Sequence, residues 1–188
     1  MIDGTFIFKC ERTISKEWLE KFNVEGIKFD AFNNSENGFF FNLTIDGQTR
    51  IINCFVGNNE SFLTLYDSEL EKLIEFVKQL YSIIKCPVIG FNDDSHYYNS
   101  DISIWRDYFK TQKPDAIIFD ALFDFNIFTP KQVEKIGIEK LLASSAYHKD
   151  VLDDGGIVLQ LDLTLAFGTN PETRNKIRKE LGMKIYEA

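Results

Sequence analysis

The densest run of chemically capable side chains is Asn92-Asp93-Asp94-Ser95-His96-Tyr97-Tyr98-Asn99-Ser100-Asp101. Carboxylates and an imidazole this close could bind a divalent cation. A calcium loop of the EF-hand type instead needs carboxylates at alternating positions, a Gly and a distal Glu, which are missing. Asp and Asn in such runs usually supply turn chemistry, so no metal is expected. His148 and Asp150 fall on one face of a strand, where a half-exposed pair in a sheet is the plain reading. Asp120 and Asp124 could form a catalytic carboxylate pair. No second acid–base partner accompanies them, and Asp120 fits the end of a strand. Cys86 could be a nucleophile, but only Lys85 beside it is basic. The chain has no P-loop, no Gly-rich dinucleotide turn and no nucleophile elbow. No catalytic residue and no cofactor is therefore assigned.

The same loop reads differently as a contact surface. His96, Tyr97 and Tyr98 supply rings with polar tips, Asp93, Asp94 and Asp101 supply negative charge, and Trp105 follows. Aromatic anchors ringed by carboxylates suit a basic protein partner. The alternative is that the tyrosines pack on the core and the acids solvate the loop. The residues leave both readings open.

Long elements must position this loop. Leu70, Leu73, Ile74, Val77, Leu80, Tyr81 and Ile84 recur at spacings of three and four, which predicts an amphipathic helix. Ser68 and Glu71 form a capping box at its start, and Pro87 stops it. Val88–Phe91 and Ala116–Phe119 read as short buried strands, with a helix around Ile104–Phe109 between them. Upstream, Thr5–Cys10 and Ile27–Ala31 are strand candidates, and Lys16–Phe22 is a short helix. Phe39–Ile45 and Gln48–Val56 flank Asp46-Gly47, which predicts an antiparallel hairpin. Ser61–Tyr66 adds another strand. Downstream, Thr129-Pro130-Lys131-Gln132 starts a helix that Gly137 breaks or kinks before Ile138–Ala143. Tyr147–Leu152 and Gly156–Leu163 form a second hairpin around Asp153-Asp154-Gly155. Asn170-Pro171 opens a last helix with Ile177 and Leu181 inward and Gly182 as its left-handed cap. Arg174, Lys176, Arg178 and Lys179 read as cations favourable near that helix's C-terminus, or as a basic docking stripe.

The 188 residues suit a single α+β domain, 1–188, with a mainly antiparallel sheet against the long helix and several shorter ones. The core draws on 18 Phe and only 2 Met. Net charge is −8, which argues against nucleic acid as a partner. Three scattered cysteines, Cys10, Cys54 and Cys86, indicate neither a disulfide framework nor a zinc site, and each reads as a small buried hydrophobe. The first residues lack a signal-peptide pattern, and no run approaches the ~20 apolar residues of a membrane span. A cytoplasmic protein is expected, without membrane association.

A resemblance adds a function. The helix followed by Pro87-Val88-Ile89-Gly90-Phe91, the acidic loop, and Lys113-Pro114-Asp115 with an apolar strand resembles bacterial immunity proteins of polymorphic-toxin systems. Gly155-Gly156-Ile157-Val158-Leu159-Gln160-Leu161, with Asn170-Pro171-Glu172 opening a helix, is similar to their closing segment. The likeness spans roughly residues 65–183. It implies a non-enzymatic cytoplasmic protein that binds and blocks a toxin, with no catalytic residues to carry over. The other class kept open is a small enzyme or ligand-binding protein using the carboxylates of residues 92–101 or the Asp120/Asp124 pair.

Overall fold

The computed structural model describes residues 3–8, 17, 20–21, 27–35, 38–45, 48–57, 60–66, 70–85, 87–92, 122–163 and 169–185. Its strands are β1 (Asp3–Phe8), β2 (Ile27–Ser35), β3 (Gly38–Ile45), β4 (Gln48–Gly57), β5 (Glu60–Tyr66), β6 (Val88–Asn92), β7 (Phe125–Phe128), β8 (His148–Val151) and β9 (Ile157–Gln160). The helices are α1 (Leu70–Ile84), α2 (Pro130–Ile136), α3 (Ile138–Ala143) and α4 (Pro171–Leu181). The fold is α+β. Its strands form one nine-stranded sheet in the order β2-β3-β4-β5-β1-β6-β7-β9-β8. Each of these neighbouring pairs is antiparallel.

The Asp46-Gly47 hairpin forms as expected, with Ile45 opposite Gln48 across the two-residue link. The candidate strands at the N-terminus and before α1 form too, as β1, β2 and β5. β5 and β6 both pair with β1, from opposite sides, so α1 carries the chain across β1 from one neighbouring strand to the other.

The predicted apolar face of α1 is buried at Ile74, Val77, Leu80 and Tyr81. Phe76 is buried as well, so the helix sinks a wider stripe than the spacing rule selects. Each such side chain contributes about 1.5–3 kcal/mol on leaving water. The helix ends at Ile84, before Pro87. Lys85 adopts a left-handed conformation (φ 52°) and its N–H donates to the Tyr81 carbonyl at 2.8 Å, the role usually given to Gly.

Register assigns the faces of the second half, because residues directly opposite across strands share a side. Ile127 faces Val158, which faces Asp150, and Asp150 meets Lys78 of α1. Helix α1 therefore lies on that side. Phe128, Ile157 and Leu159 take the other side, in one core with Val133 and Ile136 of α2, Leu141 of α3, and Ile177 and Leu181 of α4. Covered on both faces, β7 and β9 are buried at every residue. This is why FNIF and IVLQ show no polar alternation, a pattern more usual in parallel sheets.

Local signals set the ends of α2–α4. The Thr129 N–H donates to Gln132 Oε1 at 2.9 Å at the start of α2. Gly137 separates α2 from α3 at φ 102°, a backbone that side chains disfavour. Asn170 Oδ1 accepts from the Thr173 N–H at 2.8 Å, and Gly182 closes α4 at φ 74°. The β8–β9 hairpin turns through Asp153-Asp154-Gly155, with Gly155 at φ 86°. Gly156 follows because nothing larger fits: an added Cβ would stand 2.9 Å from the Phe128 carbonyl oxygen and 2.7 Å from the Tyr81 hydroxyl.

Ser68 with its capping box, most of the Lys16–Phe22 helix, the helix near Ile104, the strand at Ala116–Phe119, and Cys10 and Cys86 all lie outside the described residues.

Candidate functional site

Strands β6 and β7 are neighbours inside the sheet, with Gly90 opposite Phe125. The chain that leaves β6 and returns to β7 carries Asp93, Asp94, His96, Tyr97, Tyr98, Asp101 and Trp105. These residues, and Asp120, lie outside the described residues. What is described is how both ends of that segment are held.

The outgoing end is β6, paired with β1 through Asn92. The returning end is pinned by a buried polar cluster. Asp124 is 0% exposed and Arg174 of α4 is 3% exposed. Arg174 Nη2 donates to Asp124 Oδ1, and Nη1 donates to the Leu122 carbonyl at 2.7 Å. The same Asp124 oxygen accepts from the Thr169 N–H at 2.8 Å, and the Asp124 carbonyl accepts from the Leu161 N–H at 2.9 Å. Two residues on, Asn126 reaches back: its Oδ1 accepts from the Phe123 N–H at 3.1 Å and its Nδ2 donates to the Phe123 carbonyl at 2.7 Å. Residues 122–126 are thus fastened to both β9 and α4 before the sheet resumes.

Asp124 is a buried carboxylate bound by Arg174 and the Thr169 N–H, and Asp120, its partner in the candidate carboxylate pair, lies outside the described residues. Arg178 and Lys179 do stand in the last turn of α4, but Arg174 and Arg178 are buried, so of the four cations only Lys176 and Lys179 are exposed. The sequence held the signal. Arg174, Ile177, Arg178 and Leu181 stand at i, i+3, i+4 and i+7, the full inward stripe of a helix.

A second cluster joins α1 to the β8–β9 hairpin. Lys78 Nζ lies 2.8 Å from Glu75 Oε1 and 2.7 Å from Asp150 Oδ2. Lys85 Nζ lies 2.8 Å from Asp154 Oδ2 and 5.4 Å from the centre of the Tyr81 ring. The Tyr81 hydroxyl donates to Asp154 Oδ2 at 3.1 Å, and the Gly156 N–H donates to Oδ1 at 2.9 Å. Lys78, Tyr81, Lys85, Asp150 and Asp154 line an open cleft of about 460 Å³. The hydrogen bond from Lys78 is the main influence holding the Asp150 carboxyl below the usual carboxylate range. Burial works to raise Asp154, but donation from Lys85, the Gly156 amide and Tyr81 outweighs it and holds that carboxyl low too. Burial likewise works to lower Lys78, and its two carboxylate partners raise it above the ordinary lysine value. Each charge here meets its opposite at contact distance. That arrangement makes a clasp between helix and hairpin rather than a poised base or nucleophile.

His148 and Asp150 do share a face of β8, with His148 exposed and Asp150 half-buried against Lys78. Among the described residues, no three His, Cys, Asp or Glu side chains gather to hold a metal ion. None of the described helices is long and apolar enough to cross a membrane. Neither the pairing of Arg174 with Asp124 nor the Tyr81–Lys85–Asp154 group was singled out from the sequence, since the partners lie far apart in the chain and meet only through the fold. Comparison with protein-family models, with curated proteins and with solved structures gave no match.

Proposed function

We propose that this chain is a non-enzymatic, immunity-type protein that binds and neutralises a cognate bacterial toxin in the cytoplasm. The segment with Asp93, Asp94, His96, Tyr97, Tyr98, Asp101 and Trp105 faces the toxin. The carrying observation is topological. That segment departs from and returns to two adjacent interior strands, and its return is fastened by Arg174, Thr169 and Leu161. A rigid scaffold that offers an acidic, aromatic segment is the usual build of a binding surface. The acidity of the whole chain favours a basic toxin domain and disfavours nucleic acid. The competing enzyme reading would use Asp120 with Asp124, and the second of these is buried against an arginine.

The test is co-expression with the product of the adjacent gene, followed by co-purification and a growth-protection assay. Reversing Asp93 and Asp94 to Lys should lower the association rate and its salt dependence, with thermal stability nearly unchanged. Tyr98→Ala should cost about 1–3 kcal/mol of affinity. A doubly reversed variant that binds and protects as before refutes this surface.

A further inference from the structure

Strand β8 is the last strand at its end of the sheet among the described residues. It is short, and its surroundings are unusual for an open edge. Tyr147 is 57% exposed and Val151 49% exposed, so apolar side chains stand at both ends of the strand. Edges are commonly protected by a lysine reaching into solvent. Lys149 does not do this: its Nζ donates to the Ser144 carbonyl at 2.7 Å, which ties the charge down on its own molecule. The Leu152 N–H donates to the Gly156 carbonyl at 2.8 Å, which sets the alternation of the ladder. Bonded pairs then fall at every second residue from Leu152 back to His148, and Lys149 and Val151 turn their N–H and C=O groups to the open side, while the Tyr147 N–H just before the strand turns inward to the Leu161 carbonyl at 3.3 Å.

We propose that β8 pairs with β8 of a second copy of this chain, antiparallel about a two-fold axis at Lys149. Only registers that bring residues of the same face together satisfy such an axis, because the axis stands perpendicular to the sheet. Centring on Lys149 exchanges its outward N–H and C=O with those of its counterpart. His148 then lies opposite Asp150 of the second copy, twice, and Tyr147 lies opposite Val151, twice. The first pairing brings an imidazole to a carboxylate. The second covers the two exposed apolar side chains. The two Lys149 residues also meet, each with its ammonium drawn back onto the Ser144 carbonyl of its own chain, whereas centring on Asp150 would bring two carboxylates face to face. The facing charges on this side are His148 and Asp150 from β8, with Lys78 and Glu75 behind Asp150 on α1. The sheet would run on through eighteen strands. This pairing stands or falls independently of toxin binding.

Sedimentation velocity on the full chain over a wide concentration range tests it. The expected result is a reversible, concentration-dependent monomer–dimer equilibrium, weak as suits a small edge contact. Val151→Lys, which adds an outward charge, and His148→Asp, which sets carboxylate against carboxylate, should each weaken it at least roughly tenfold. Lys149→Pro removes the outward N–H without touching a bond to β9 and should abolish it. The first two variants carry the test should the proline variant fold poorly. A chain that stays monomeric throughout, or a dimer that none of the folded variants weakens, overturns the proposal.

Discussion

Removing the Asp124 carboxylate should be among the most damaging single changes to this protein. Asp124→Ala would leave the Arg174 guanidinium at 3% exposure without its anion. The Thr169 N–H would lose its acceptor at the same time. Breaking one side of a buried ion pair costs about 3–5 kcal/mol, because the remaining charge cannot reach water. For a chain of this size each kcal/mol moves the midpoint of thermal unfolding by about 2–4 °C. The expected fall is therefore roughly 6–20 °C, measured by circular dichroism, with a matching loss in the urea midpoint. The double change Asp124→Leu with Arg174→Met should recover most of that loss, since replacing both charges with apolar groups of similar volume is often neutral. A single variant that loses less than about 1 kcal/mol would refute the argument. So would a double variant no better than Asp124→Ala, because the penalty would then not arise from a stranded charge.

Other outcomes follow from the clasp and the hairpin. Asp150 and Asp154 titrate lower folded than unfolded, so they stabilise the fold above the ordinary carboxylate range and lose that contribution as pH falls through their lowered values. Lys78, raised when folded, contributes fully below the ordinary lysine value and loses its share as pH climbs through the raised one. Urea midpoints against pH should then fall less steeply in acid for Lys78→Met with Lys85→Met than for the native chain; identical slopes would discount the clasp. Gly156→Ala should cost about 1–3 kcal/mol, because the Phe128 carbonyl oxygen it would meet is backbone and cannot swing aside. An unchanged melting temperature would show that the hairpin shifts freely.

The sequence announced its elements best where a local rule was enough. Asp46-Gly47 gave a hairpin, Thr129-Pro130 and Asn170-Pro171 gave helix starts, and Gly182 gave a helix end, each decided by a few neighbouring residues. Lys85 escaped notice because no local preference sends a lysine into the left-handed region. Its side chain does reach Asp154, a partner far along the chain. Buried charge was misread for a related reason. Arg174 and Arg178 look like surface residues by type, and only their place on the Ile177–Leu181 stripe marks them as interior. The candidate contact surface was legible as composition alone. Its placement between two adjacent strands depends on strand order, which no window of sequence contains.

That placement bears on how the protein can change. Gly90 and Phe125 face each other across one ladder step, so the strands that the 93–121 segment joins are held about 5 Å apart at that pair. Lengthening a connection between two such fixed points costs little: doubling it adds only about 0.6 kcal/mol of closure entropy. The described closing end is the opposite case: Asp124, Asn126 and Arg174 hold it through buried hydrogen bonds, and lineages built on this scaffold would be expected to vary least at those three positions.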